Sequence, residues 1–393
     1  ALAPVTIAGS AYGSVPVVGA MIGSGVRPGA MAEAWLLNLL LYRPGHNGFS
    51  RYVQRVVPHL PGRPLWLVEH PDRLGLSPDG VPELLRAPPP LALLQSLTLA
   101  QHGVRVRRRL AGRGWPDIEA VYSPYPDYLF ALSDRPQIVT CHDLTPLHLP
   151  SSRRAQLRYR FWTPQHLQRA DRIVAISRFV ADQLIEQGLP SDRVVVIANG
   201  IALPPVAVQA PLSHDWLLLA RHDRNKNLAQ AIQAFAGFLQ RRPDWPGGLR
   251  IVGRPGRTTP LLKRLLLEQG LTERVQLIPA LAEPELSRQI RSAFALLSPS
   301  LMEGFDYPVL EAKAEGIPTL ISDIPVHREF HEGSSLFFAR GDAPQTLTQV
   351  MLRLAEEPAL WQQLSRQGRA CAARFTIERQ VAAIRAEMGT LVG

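Results

Sequence analysis

A chain of 393 residues is longer than one hydrophobic core usually organises, so two domains are expected. With 46% hydrophobic and 19% charged residues it has the make-up of a globular protein, which excludes the disordered and fibrous classes. Two cysteines, Cys141 and Cys371, cannot build a disulfide framework, and neither sits in a metal-ligand cluster, which argues for a reducing compartment and against structural zinc.

Residues 1–30 are rich in Gly, Ala, Val and Pro but lack the basic start of a signal peptide, and are expected to lie outside the fold as a leader or extra segment. From there short apolar runs alternate with amphipathic segments. Trp35–Tyr42 (WLLNLLLY), Leu65–Val68, Ala120–Tyr122, Ile138–Cys141, Arg172–Ile176 and Arg193–Ile197 read as strands. Helical patterns follow the loop Arg43–Gly48 and cover about Arg153–Arg169 and Arg178–Gln187; the Pro- and Arg-rich stretch 71–117 carries no clear period. Ala202–Ser213 (ALPPVAVQAPLS) has the composition of a linker. A second series follows, with strands at Trp216–Ala220, Leu249–Val252, Val275–Ile278, Ala295–Leu297 and Thr319–Ser322. Its first helix is expected to be N-capped by Asn227. Strand alternating with helix predicts α/β architecture: two doubly wound, Rossmann-like domains facing a central cleft. The expected division is 31–203, 204–375 and a C-terminal helix 376–393, which the last amphipathic segment places back on the first domain.

The formal net charge is +10, and arginines crowd 105–113 and 153–172, the second stretch interleaved with Tyr159, Phe161 and Trp162. That pattern fits either a solvated helix face or attraction to anionic lipid. With no recognised nucleic-acid module, nucleic acid is not an expected partner. No stretch reaches the ~20 apolar residues that cross a bilayer, so the location expected is cytoplasmic, with peripheral contact at the inner membrane face as the option the basic stretch leaves open.

The most informative segment is Ser298–Pro325 (SPSLMEGFDYPVLEAKAEGIPTLISDIP). A strand ends, the chain turns through Glu303-Gly304-Phe305-Asp306-Tyr307, and Pro308 opens a helix closed by Gly316 and Pro318. Such a turn aims main-chain N–H groups and the positive helix end at the cleft, where anions bind. Glu303 and Glu311 lie at different heights, arranged to accept bonds from hydroxyls of a polyhydroxylated ligand and not to share a metal. Arg221 and Lys226 stand beside another helix start after a strand, where two cations can neutralise a phosphate. His142 and Asp143 end a strand of the first domain. Cys141 and His142 point to opposite faces, so a Cys/His nucleophile pair is not expected.

EGFDYPVLE, followed by EGIPTLISDIP, resembles the E-x7-E signature of retaining GT-B glycosyltransferases of family 4 (group 1), with Asp306 where glycine is usual. The order of further segments is similar to that family: Gly45 and Gly48 in a glycine loop (GFSRY), HDLTP, ADRIVAIS, IANG, and RHDRNKN with Ala220 in a glycine position. The resemblance implies a metal-independent hexosyltransferase without cofactor, using a nucleotide diphosphate sugar. It implies that Arg221 and Lys226 hold the diphosphate, that Glu303 binds sugar hydroxyls, Glu311 the ribose, and His142 the reacting side. Gly304, Phe305, Asp306, Tyr307, Gly45, Gly48 and Asp143 complete the donor site. HDLTPLHLP and SDIPVHREF are similar to mannosyltransferases of polysaccharide assembly, which implies GDP-mannose as donor and a glycan or lipid-linked acceptor. The off-pattern Asp306 and Ala220 keep a catalytically inactive sugar-nucleotide- or glycan-binding protein as the alternative. Asp306 is expected either to tune sugar selectivity or to repel phosphate.

Overall fold

The computed structural model describes residues 35–42, 48–66, Arg107, 118–150, 152–341 and 343–392, the side chains of 63–66 excepted. The expected leader 1–30, Gly45 and all of 71–117 except Arg107 lie outside the described residues.

Among the described residues six parallel strands form the first sheet: β1 Trp35–Leu39, β2 Arg63–Trp66, β3 Ala120–Ser123, β4 Gln137–Cys141, β5 Arg172–Ala175 and β6 Val194–Val196, in the order β2-β1-β3-β4-β5-β6. Six more form the second: β7 Trp216–Leu219, β8 Leu249–Val252, β9 Val275–Ile278, β10 Ala295–Ser298, β11 Thr319–Ser322 and β12 Leu336–Phe338, in the order β12-β11-β10-β7-β8-β9. Strands covered on both faces read as unbroken apolar runs, and every residue of β1, β4 and β10 is buried. The second order is that of a doubly wound sheet. The chain leaves β7 and β10 towards opposite sides, and a crevice opens between their carboxyl ends, where such sheets bind ligands.

The helices that position this crevice are α1 Gly48–Val56, α2 Thr145–His148, α3 Arg153–Leu157, α4 Thr163–Leu167 and α5 Arg178–Glu186 in the first domain. In the second they are α6 Leu228–Arg241, α7 Thr259–Glu268, α8 Glu283–Arg291, α9 Tyr307–Ala314, α10 Pro325–His331 and α11 Pro344–Glu356. Helices α12 Pro358–Ala372 and α13 Ile377–Val392 return the chain: Val381, Ile384 and Met388 of α13 pack against Trp35, Leu37 and Tyr52 of the first domain. The two domains also share one apolar cluster, in which Val139, Ala175 and Val180 meet Phe305, Leu310, Val326 and Phe330.

Two local expectations change. The helix expected over 153–169 is interrupted by a five-residue π turn, Arg158–Trp162, between α3 and α4. Pro164 has no N–H to return to the carbonyl of Arg160, so the ladder widens there. Asn227 stands at the start of α6 but makes no cap bond. Its backbone is left-handed (φ 47°), and its amide instead reaches Gln230 and the Gly341 carbonyl.

Lysine is rare in this chain (Lys226, Lys263 and Lys313 against an arginine-rich background), yet Lys313 is fully buried on α9. Its ammonium donates to Ser334 Oγ (2.7 Å) and faces His331 Nδ1 (3.2 Å), and burial pulls it down to about 7. An unfolded lysine keeps its proton to about 10.5, so the cost of burying the charge is fully present below pH 7 and is relieved as pH rises towards 10.5. Lys313→Met is expected to stabilise the fold by about 2 kcal/mol at pH 7, the lost bonds to Ser334 and His331 offsetting part of the gain. In denaturant melts the advantage shrinks steadily from pH 7 to pH 10.

Candidate active site

Loops from the carboxyl ends of β7 and β10 bring the basic and acidic side chains together. After β7, Arg224–Lys226 makes a single tight turn that leads into α6, and Lys226 Nζ reaches Glu303 Oε1 at 2.5 Å on the loop after β10. Burial pulls the Lys226 ammonium down, but Glu303, Asp306 and Asp143 together outweigh it, so its net shift is upward and it stays charged. Arg221 lies at the mouth, about half exposed, and pairs with Asp223.

The opposite wall is the end of β4. His142 Nε2 donates to the Pro124 carbonyl at 2.7 Å, and the ring packs edge-on against Phe49 and Tyr52 of α1. Burial lowers this histidine to about 4, so it is neutral at physiological pH. Asp143 accepts from the Thr145 N–H at 3.0 Å at the start of α2. Burial first, and then the neighbouring Glu303, push it up to about 6. The two walls meet at Gly304, where a Cβ would stand 2.0 Å from the His142 carbonyl oxygen; only glycine lets the loops touch. Cys141 is buried and its thiol is pushed up by that burial, which leaves it inert.

The structure relocates several expected residues. The side chains of Phe305 and Tyr307 are interior, Phe305 packing on Tyr307 and Phe330, so only their main chain is available to a ligand. Asp306 is buried. Its carboxylate turns inward to Ser298 Oγ (2.5 Å) and His327 Nε2 (3.0 Å), and its backbone is left-handed (φ 72°), which is why glycine suits the position. Among the described residues, Asn227 and Asp306 are the non-glycine positions with positive φ, and they start the two helices, α6 and α9, that converge on the Lys226–Glu303 pair. Neither caps its own helix with its side chain, and strained residues of this kind gather at ligand sites.

Glu311 is held by two arginines. Arg51 Nη1 chelates both its oxygens (2.7 and 2.8 Å) and Arg55 Nη2 adds a third bond (3.0 Å), both from α1 of the other domain. Arg55 also covers the Tyr307 ring and reaches Glu283. Arg51, Arg55, Glu283 and Glu311 line an open cavity of about 210 Å3 together with residues 201–204 and α8. Gly48 begins α1 against the Tyr307 ring. Sequence reasoning placed Arg51 in the glycine loop without its partner and missed Arg55, Ser298 and His327. Their partners lie in other elements, so no local spacing marks them.

A family model described as Glycosyltransferase Family 4 matches residues 46–203, and one described as Glycosyl transferases group 1 matches residues 213–357. The chain carries the two domains of a group 1 glycosyltransferase. Among curated proteins it is similar to the O-antigen chain mannosyltransferase RfbU of Salmonella typhimurium, 25% identical over 52% of this chain and 56% of that protein. It is also similar to GDP-mannose:cellobiosyl-diphosphopolyprenol alpha-mannosyltransferase of Xanthomonas campestris, 27% identical over 49% of this chain and 51% of that one. The chain thus spans about half the length of these relatives. Among solved structures, Anabaena HepE in complex with UDP and glucose superposes with a TM-score of 0.72 over 91% of this chain and 100% of HepE, at 17% identity. Sucrose-phosphate synthase from Thermosynechococcus elongatus gives 0.68 over 91% and 97%, at 19% identity. These likenesses show the GT-B fold. In that frame the Lys226–Glu303 pair of the group 1 domain faces the His142–Asp143 end of the family 4 domain.

Proposed function

We propose that this chain transfers a hexose, mannose above all, from a nucleotide diphosphate sugar to a glycan or lipid-linked acceptor, with retention and without a metal ion or cofactor. The observation that carries this reading is the meeting of Lys226, Glu303 and the His142–Asp143 segment at Gly304, at the carboxyl ends of two doubly wound sheets. Lys226 and Arg221, with the main chain of 304–307 and the start of α9, would hold the diphosphate and take up the charge that grows as the sugar leaves. Glu303 would accept bonds from sugar hydroxyls, and neutral His142 would lie at the reacting side. Glu311, at the edge of the 210 Å3 cavity, would exchange a bond to Arg51 for ribose hydroxyls.

Among the described residues at the site, none stands out as a covalent nucleophile. The balanced step is therefore attack of the acceptor oxygen on the anomeric carbon, from the same face that the phosphate leaves, as the carbon–phosphate oxygen bond breaks, with the acceptor proton passing to the departing phosphate oxygen. The names of the RfbU and Xanthomonas relatives support mannose and GDP, while HepE, bound to UDP and glucose, makes the uridine donors the necessary comparison. The purified chain is tested with GDP-, UDP- and ADP-sugars in EDTA, the product anomer being read by NMR. Turnover of GDP-mannose with retained configuration is expected. Inversion, or no turnover of any donor, refutes the reading.

The acceptor side favours a cytoplasmic protein working against the inner membrane face. No described helix is long and apolar enough to cross a membrane. Residues 152–170 hold five arginines and no acidic residue. Phe161 and Leu157 are more than half exposed there; Phe130 meets His166 edge-on under Arg169, and Trp162 meets it at a tilt. Tyr159, in the same turn, lies near enough to Asp143 to feel its charge, so this face adjoins the cleft. An apolar tip ringed by cations suits an anionic bilayer. Co-sedimentation with phosphatidylglycerol vesicles is expected, weakening about tenfold in Phe161→Ser/Trp162→Ser and in high salt. Equal binding by the variant, or none by the parent chain, counts against it.

A further inference from the structure

If the cleft holds a diphosphate, as proposed above, Asp306 sets a carboxylate beside it, and His327 is the group that the fold places against that carboxylate. His327, on α10 and wholly buried, has Nδ1 2.8 Å from the Ser322 carbonyl and Nε2 3.0 Å from Asp306 Oδ2, while the Ser322 hydroxyl, 3.4 Å from Nδ1, gives its own proton to the Ser300 carbonyl. With a hydrogen on each nitrogen the ring satisfies both acceptors, and in that form it is a cation. Ser298 Oγ donates to the same Asp306 oxygen at 2.5 Å, which leaves the carboxylate anchored from the end of β10 and from α10. Lys226 and Asp306 line one narrow crevice between β7 and β10, so an uncancelled Asp306 charge would act on whatever anion Lys226 holds.

We propose that His327 and Asp306 form a positioning pair for the donor diphosphate. His327 holds the Asp306 carboxylate out of the cleft and cancels its charge, and the left-handed turn at Asp306 presents the main chain of 304–307 to the ligand. This rests on reading the cleft as the donor site. His327 is a positioning residue, since it touches Asp306 and not the ligand. The pair stands in for what glycine achieves by having no side chain.

The test uses the full chain and three variants, His327→Gln, Asp306→Gly and Asp306→Gly/His327→Gln, with GDP and UDP affinity measured by calorimetry and donor KM and kcat measured beside it. Glutamine keeps a donor for Asp306 but removes the cation. The expected result is an affinity for the preferred diphosphate about tenfold weaker, with KM rising in step and kcat within about twofold. The double variant has neither charge, and its glycine holds the left-handed turn freely, so it is expected to return to within about twofold of the parent. A merely structural role predicts the reverse, with the double variant worst of all. An unchanged His327→Gln, or a double variant as weak as the single, overturns the proposal while leaving the donor site standing. If His327→Gln does not fold, the double variant decides alone: recovery supports the pair and a tenfold loss overturns it. A parent chain that binds neither diphosphate overturns both this proposal and the donor-site reading.

Discussion

Lys226→Ala is expected to lower sugar transfer by on the order of 10²–10³-fold, and Glu303→Gln by about as much. The two side chains share one 2.5 Å bond, but their losses should differ in kind. Lys226 carries the charge that offsets the departing diphosphate, so its loss falls on kcat and kcat/KM together. Glu303 binds hydroxyls that are present before and during reaction, so its loss falls more on KM. Lys226→Ala also leaves Glu303, only 11% exposed, beside an already raised Asp143 without its cation. That uncompensated buried charge is expected to lower the melting temperature as well. Lys226→Arg is not a conservative test here, because a branched guanidinium does not fit the place of a compact ammonium against Glu303. Steady-state kinetics with the donor that turns over, and thermal melts of the same preparations, read both effects.

Gly304→Ala is the second large effect. The added Cβ would lie 2.0 Å from the His142 carbonyl oxygen and 3.0 Å from the Asp143 Cβ. Neither neighbour is the end of a flexible side chain, so the loop after β10 must retreat from the end of β4. About 3 kcal/mol of stability is expected to go with it. Transfer should fall on the order of 10²-fold, since a displacement near 1 Å at the reacting centre is enough for that. Gly188→Ala is the matched control. Gly188 has φ +86° with open space around it, so alanine there should cost about 1 kcal/mol in strain and leave transfer unchanged. Equal effects at both positions would mean that the contact at Gly304 has no special part in the site.

Much of the fold was legible because parallel strands buried on both faces appear as plain apolar runs. WLLNL, QIVTC and WLLL sit in β1, β4 and β7 where these runs place them, each starting within a residue of its expected start, although β1 stops at Leu39, three residues short of the expected end. β12 escaped notice because it is three residues long between serines and a bend. The break in the helix after Arg153 was written in Pro164 but masked by the amphipathic pattern around it. At the site, the residues brought together in space, Lys226, Glu303, Gly304 and the His142–Asp143 pair, all lie on loops directly after strands, where position along the chain predicts position in the cleft. Side-chain direction was not legible. Whether Asp306 points to the ligand or inward depends on His327, 21 residues later and on another helix. Likewise the company Glu311 keeps depends on Arg51, 260 residues earlier in the other domain.

The most direct test of the central claim is amide hydrogen exchange of the intact chain with and without a saturating nucleotide sugar, GDP-mannose first and UDP-glucose second. Protection is expected at 224–230 and 303–311, with a smaller effect at 142–145 across the cleft. Protection confined to other segments, or none with a donor that is turned over, would contradict the placement of the donor between these two sheets.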